Sequence, residues 1–235
     1  MKIYRNATLI TRNGRIGFIS TLLGPVVLAV GASLVITGGG LGLSLLVLLL
    51  GFIIYQVGQA FQRFGRGADK DFDVALKKLP DTYALYHFTS PVSHLLLGPA
   101  GVWILIPRYG KGKVTYDTDR SRWKLKPKNL MARLFGGGLA RPEMEIISEA
   151  DALDRYLQKH WTGSDHPHVN AALVMMDNDI EIEAEGSAVP TLHLTKVYGY
   201  MKQEESKGAA DLNIVSHLKE QFATDDPASS TDDGS

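Results

Sequence analysis

VSHLLLGPAGVWILIPRYGKGKV, residues 92–114, sets two apolar runs around a Gly-Pro-Ala-Gly turn and then becomes basic. HLLLG and GVWILIP are short, continuously apolar and bounded by turn residues. That pattern predicts two buried strands joined through Gly98, Pro99, Ala100 and Gly101, the second ended by Pro107. No Asp or Glu occurs from Ser90 to Tyr116. An active site built on this hairpin would have to find its acids elsewhere.

Working outward, TYALYHFTS alternates and reads as a preceding strand. ADKDFDVALKKLP places Phe72, Ala75, Leu76 and Leu79 at helical spacing and ends at Pro80. Downstream, GKVTYDT and SRWKLK predict strands of a more exposed sheet, and LMARLFGGGLARP a loop or broken helix. SEADALDRYLQKHW predicts a helix with Ser148 as N-cap and Ala152, Leu153, Tyr156 and Leu157 on one face. VNAALVMMD reads as a buried strand, DIEIEAEG as a strand with one wet face, and TLHLT as a short strand. TKVYGYMKQE predicts a helix, residues 206–223 an amphipathic helix, and residues 224–235 a disordered acidic tail. The fold class is an α/β domain with a mixed central sheet, spanning residues 65–205.

Ahead of it lies a different kind of chain. Residues 16–62 carry no charge. GFISTLLGPVVLAVGASLVI (17–36) and LGLSLLVLLLGFIIYQVGQA (41–60) are each long enough to cross a hydrocarbon core of ~30 Å. TGGG separates them, so a two-helix transmembrane hairpin is expected. Pro25 is a candidate kink, and Gly24, Gly31, Gly42, Gly51 and Gly58 are candidates for close helix packing. Residues 1–15 read as a basic cytoplasmic tail. Lys2, Arg5, Arg12 and Arg15 before the spans, with Arg63, Arg66 and Lys70 after them, place both termini and the soluble domain in the cytoplasm. No ionisable residue lies within the spans, which argues against a transporter. GRGADK, residues 65–70, lacks the Gly-Lys-Ser/Thr of a phosphate loop and reads as a flexible joint.

The chain has no cysteine, which excludes disulfides, thiolate metal sites and a Cys nucleophile. Its net charge is zero, yet residues 1–142 hold 19 Lys/Arg against 6 Asp/Glu, and residues 143–235 hold 6 against 19. Such a division suits a basic face toward phosphates or anionic lipid, or two halves that face each other.

The succession of a helix ending LKKLP, a strand, LLLGP, GVWIL and a basic KGKV resembles the nuclease-related domain family, a branch of the restriction-endonuclease-like fold. The resemblance covers about residues 65–205, including VNAALVMMD and TLHLTKVYGYM. It implies metal-dependent phosphodiester hydrolysis, in which carboxylates hold a divalent cation and a Lys orients or deprotonates water. The family's strand Asp falls on Ser93, and the His after it is kept as His94. Its Glu falls on Ile106 and its Lys on Arg108, with Pro107 between. The acid of its helix falls on Asp69, after Ala68 in place of Gly. Of three acids only Asp69 stands. Ile106 cannot ligate a metal, and Arg108 stays protonated. Asp69, Ser93, His94, Ile106 and Arg108 are therefore expected to be relic positions. Asp117 and Asp119, or Glu143 and Glu145, are the acids that could enter from other elements.

A second candidate region is basic with interleaved aromatics: Arg108, Lys111, Lys113, Arg120, Arg122, Trp123, Lys124, Lys126 and Lys128, continuing to Arg133, with Tyr109 and Tyr116. It suits nucleic-acid backbones with base stacking, or anionic lipid heads beside a membrane. Asp165, His166 and His168 offer a His-X-His pair without a clear third ligand, so no metal site is expected. The function expected is a membrane-anchored, catalytically inactive binding or scaffold module for nucleic acid or a protein partner, with no cofactor and no small-molecule substrate. The alternatives are a divergent nuclease requiring Mg²⁺, and a structural membrane protein that forms homo-oligomers through its spans.

Overall fold

A computed structural model describes residues 1–128, 139, 141–161, 167–208 and 211–224. Arg133, Asp165, His166 and the acidic tail with Asp225, Asp226, Asp232 and Asp233 lie outside the described residues. The chain divides into two compact units, residues 6–68 and residues 1–5 with 69–235.

The first unit is a pair of helices, α1 (Ala7–Ile36) and α2 (Leu41–Gly65). Asn6 caps α1 by accepting from the Leu9 amide at 2.9 Å, and α1 continues through Pro25. The packing pattern is a heptad of small residues. On α1 the buried positions include Gly17, Gly24 and Gly31, and on α2 Ser44, Gly51 and Gly58. Each glycine receives a larger residue of the other helix: Phe61 over Gly17, Tyr55 over Gly24, Leu48 over Gly31, Leu28 over Gly51 and Thr21 over Gly58. Spacings of three and four keep one seam of each helix against the other. Gly42, expected in this packing, faces open space, because it lies in the first turn of α2 beyond the end of the seam. Almost everything off the seam is large, apolar and exposed. The hydroxyls of Ser33, Thr37 and Ser44 bond carbonyls of their own turn at 2.9–3.0 Å. Both helices are long and apolar enough to cross a membrane.

The second unit begins with a strand that the sequence concealed. Residues 1–15 are not a tail: Lys2–Arg5 form β1, and α1 follows at once. β1 pairs in parallel with β2 (Ala84–His87). β2, β3 (His94–Gly98) and β4 (Gly101–Arg108) form an antiparallel meander. β7 (Val169–Met175) joins β4 in parallel, and β9 (Thr191–His193) joins β7. The mixed sheet thus runs β1-β2-β3-β4-β7-β9. A smaller sheet, β6-β5-β8, is made by β5 (Gly112–Asp117), β6 (Arg122–Pro127) and β8 (Glu181–Glu183).

Both faces of the large sheet are buried, so its central strands are apolar on consecutive residues rather than alternating. One face carries Tyr86, Leu95, Ile104 and Ile106 against α4 (Pro142–His160) and α6 (Leu212–Thr224), through Leu153, Leu157, Val215, Leu218 and Phe222. The other meets α3 (Ala68–Leu76), through Phe72, and α5 (Leu194–Ser206), where Tyr200 lies edge-on to Trp103. α4 starts six residues before the expected cap at Ser148. Pro142 fits the first turn, where its missing N–H costs nothing, and Glu143 and Glu145 complement the helix dipole. α6 is not an appendage to a domain ending at residue 205, because its apolar face completes the core.

Tyr83 is buried across Gly98, where an added Cβ would lie 2.1 Å from its ring. Its hydroxyl donates to Glu205 Oε2 at 3.1 Å. Burial, then the Glu205 carboxylate, push its pKa upward. The folded domain therefore holds this proton more tightly than the unfolded chain. The resulting stability is complete below the ordinary tyrosine pKa, near 10, and is lost as pH rises beyond it. Alkaline denaturation series on wild type and Tyr83→Phe should show a slope above pH 10 that is shallower in the variant.

Candidate functional site

Asp69, Ser93, His94, Ile106 and Arg108, the positions expected to be relics of a metal site, do not converge. The alternation of strand side chains sends them to opposite faces of the sheet.

On the α3 face, Arg5, His87 and His94 form one cross-strand row, since Arg5 pairs in register with His87 and His87 with His94. α3 lies over the row and presents Asp69, Phe72, Asp73 and Leu76, a single helical face. Arg5 Nε stands 3.2 Å from Asp69 Oδ2, and a second Arg5 nitrogen is paired with Asp73. The other Asp73 oxygen meets His87 Nε2 at 3.0 Å, and His87 Nδ1 meets His94 Nδ1 at 2.8 Å. Between two Nδ1 atoms only one proton can lie, so one ring donates and the other accepts. Phe72 and Phe88 pack on the His94 ring at 5.1 Å. Asp69, His87 and His94 are all buried. The chain Asp69–Arg5–Asp73–His87–His94 is a continuous run of polar contacts that ties β1, β2, β3 and α3 together. Arg5, Asp73 and His87 were not recognised from the sequence. The available signal was the i, i+4 spacing of Asp69 and Asp73 on one helical face.

On the α4 face lie Ser93, Ile106 and Arg108. Ser93 donates twice to Glu149, from its amide to Oε2 and from its hydroxyl to Oε1, both at 2.7 Å. Arg108 forms an ion pair with Glu145. Ile106 is buried in the sheet. Acids do reach this face, Glu145 among them, but they come as partners of a hydroxyl and a guanidinium. Glu149, one helical turn beyond Glu145, escaped the sequence reading. Among the described residues no three His, Asp or Glu side chains are grouped to hold a metal ion.

Ser93→Asp, which places an acid where the resemblance implies one, is expected to set one carboxylate against another rather than build a metal site. The backbone amide of residue 93 stays, but loss of the hydroxyl's bond to a charged acceptor, with a like charge in its place, predicts roughly 1.5–3 kcal/mol of destabilisation at pH 7. Protonation of either carboxyl relieves the repulsion, so the deficit should shrink as pH falls below 5. Urea titrations at pH 7 and pH 4.5 measure both.

The basic segment divides by the same alternation. In the small sheet Val114 pairs with Leu125 and Tyr116 with Trp123, and these side chains face the core. Trp123 is buried, with its ring against Tyr116 and its Nε1 donating to Thr191 Oγ1 at 2.9 Å. Trp123 is therefore not a base-stacking residue: aromatics that interleave with lysines in the sequence point to the other side of the strand. The wet face carries Lys113, Arg122, Lys124 and Lys126, but β8 aligns Glu181 with Lys113 and Glu183 with Thr115. Lys113 bridges both glutamates, and the bond to Glu183 raises its pKa. Lys124 pairs with Asp117 at 2.6 Å, which lowers the Asp117 pKa, and Arg122 with Glu143 at 3.5 Å. Several cations of the basic segment are thus answered by acids, Glu143, Glu181 and Glu183 from downstream elements and Asp117 from the segment itself. Lys111, Arg120, Lys126 and Lys128 are exposed.

Comparison of the chain with family models, with curated proteins and with solved structures returned no match.

Proposed function

We propose that this chain is a membrane-anchored scaffold: α1 and α2 cross a bilayer as a hairpin with both ends on the cytoplasmic side, and the α/β domain of nuclease-related type holds a protein partner there without cleaving nucleic acid. The observation that carries the reading is the closure of β1 onto β2. The segment before the hairpin and the helix after it belong to one domain, joined through Arg5, Asp69 and Asp73. A hairpin whose two ends enter one domain returns to the side from which it started.

Several features support the rest. The outward faces of both helices are apolar around their circumference, which suits lipid and not water. Basic residues at the open end favour the cytoplasm. The order α3, β2, β3, β4 and a basic turn is the order on which the family resemblance rests. The hydrolytic positions are occupied by Ile106, by Arg108 paired to Glu145 and by Ser93 paired to Glu149. The near balance of charge on the small sheet favours a protein over a polyanion as the partner. Self-association through the glycines finds those of the seam already filled by the chain's own side chains.

The test is the full chain in nanodiscs with labelled DNA and RNA, with Mg²⁺ or Mn²⁺. No cleavage is expected, and only weak binding with a shallow salt dependence, because few phosphate contacts release few counterions. Cleavage lost in Asp69→Ala, or affinity falling steeply with salt and weakened by Lys126→Glu and Lys128→Glu, would overturn the reading.

A further inference from the structure

The first turns of α1 carry a stripe that the anchoring role alone does not require. Thr8, Thr11, Arg12 and Arg15 stand at i, i+3, i+4 and i+7 and so share one side of the helix. With Ala7 and Ile16 they line an open groove of about 550 Å³. Thr8, Thr11, Arg12 and Arg15 are all exposed. Among the described residues, the bond of Arg12 is from its Nε to Asn13 Oδ1, at 3.5 Å. The chain has no acid from residue 1 to residue 68, so nothing within this unit neutralises the two guanidinium groups. Below the stripe the same side of α1 continues as Ile19, Leu23, Val26 and Val30, all exposed. Two cations and two hydroxyls thus sit at the head of an apolar track, at the border of the charge-free segment.

That sequence of chemistries matches one amphiphile from head to tail. We propose that the Thr8–Thr11–Arg12–Arg15 groove binds the headgroup of an anionic glycerophospholipid, with its acyl chain along the apolar track. Guanidinium groups bond phosphate oxygens in pairs, and the threonine hydroxyls donate to the same oxygens. A zwitterionic lipid brings its own ammonium beside the phosphate and gains less from two arginines. The inference rests on the hairpin crossing a bilayer, and it assigns lipid contact to this stripe rather than to residues 108–128.

The experiment reconstitutes the full chain in phosphatidylcholine bilayers and measures, by electron spin resonance, the association of spin-labelled phosphatidylglycerol relative to spin-labelled phosphatidylcholine. Wild type should prefer phosphatidylglycerol by on the order of tenfold at low salt. Arg12→Gln with Arg15→Gln should bring the ratio close to one, whereas Arg120→Gln, in the domain, should leave it unchanged. Far-UV circular dichroism reports that the variants keep their helices, and Thr8→Ala with Thr11→Ala, which removes no charge, should lower the ratio by a smaller factor. A wild type without preference, or a preference that survives the double arginine change, overturns the lipid site and leaves the anchor standing. A chain that immobilises neither lipid overturns both.

Discussion

Arg5→Ala is expected to destabilise the α/β domain by about 2 kcal/mol, less than for breaking a fully buried ion pair, because the Arg5 side chain is partly exposed. Arg5 stands between Asp69 and Asp73, and Asp69 is only 5% exposed. Removing the guanidinium leaves two carboxylates four residues apart on α3 with one cation fewer, facing a histidine pair. Arg5→Lys should recover part of the loss, since an ammonium supplies the charge but not the fork that spans both carboxylates. All three tryptophans, Trp103, Trp123 and Trp161, lie in this unit. Denaturant unfolding of the intact protein followed by tryptophan emission therefore reads the domain alone. A midpoint unchanged from wild type would mean that β1 is not held by this network. In a double-mutant cycle, Arg5→Ala with Asp73→Asn should cost less than the sum of the two, because the residues act through one contact.

In the hairpin, Gly24→Leu is expected to force the helices apart. A Cβ at this position would lie 2.8 Å from Tyr55 Cα, and backbone cannot give way as a side-chain tip can. Overpacking of this kind costs about 1–3 kcal/mol before any larger rearrangement. Gly42→Leu makes the same chemical change where nothing stands within 4 Å, and should be neutral. The absence of cysteine allows spin labels at Phe18→Cys and Gln59→Cys without background. Their distance distribution should move outward or broaden in Gly24→Leu and stay as in wild type in Gly42→Leu. Equal distributions in all three would contradict the seam.

Much of this architecture was legible because it is local. Apolar periodicity, the Gly98-Pro99-Ala100-Gly101 turn and the TGGG break each declare an element within a few residues. The misreadings were non-local. KIYR is four residues long and looks like the basic flank of a span; only β2, some eighty residues away, makes it a strand. The Glu149–Ser93 and Glu145–Arg108 pairs likewise join segments that nothing in the intervening sequence connects. Trp123 is a different case. The alternation in GKVTYDT and SRWKLK already assigns Val114, Tyr116, Trp123 and Leu125 to one side and the lysines to the other. Counting basic and aromatic residues together hid a period of two. The helix start at Pro142 was obscured by a good capping residue at Ser148, while the acids that favour the true first turn, Glu143 and Glu145, lay upstream of it.

The measurement that bears most directly on the account is the sidedness of three single cysteines in the full chain in sealed membrane vesicles: Ile3→Cys in β1, Thr37→Cys in the interhelical turn and Ser206→Cys at the end of α5. A membrane-impermeant maleimide should reach Ile3→Cys and Ser206→Cys from one side only, the cytoplasmic one, and Thr37→Cys only from the other. Labelling of Thr37→Cys and Ser206→Cys from the same side would contradict a hairpin that crosses the bilayer and returns to its own domain.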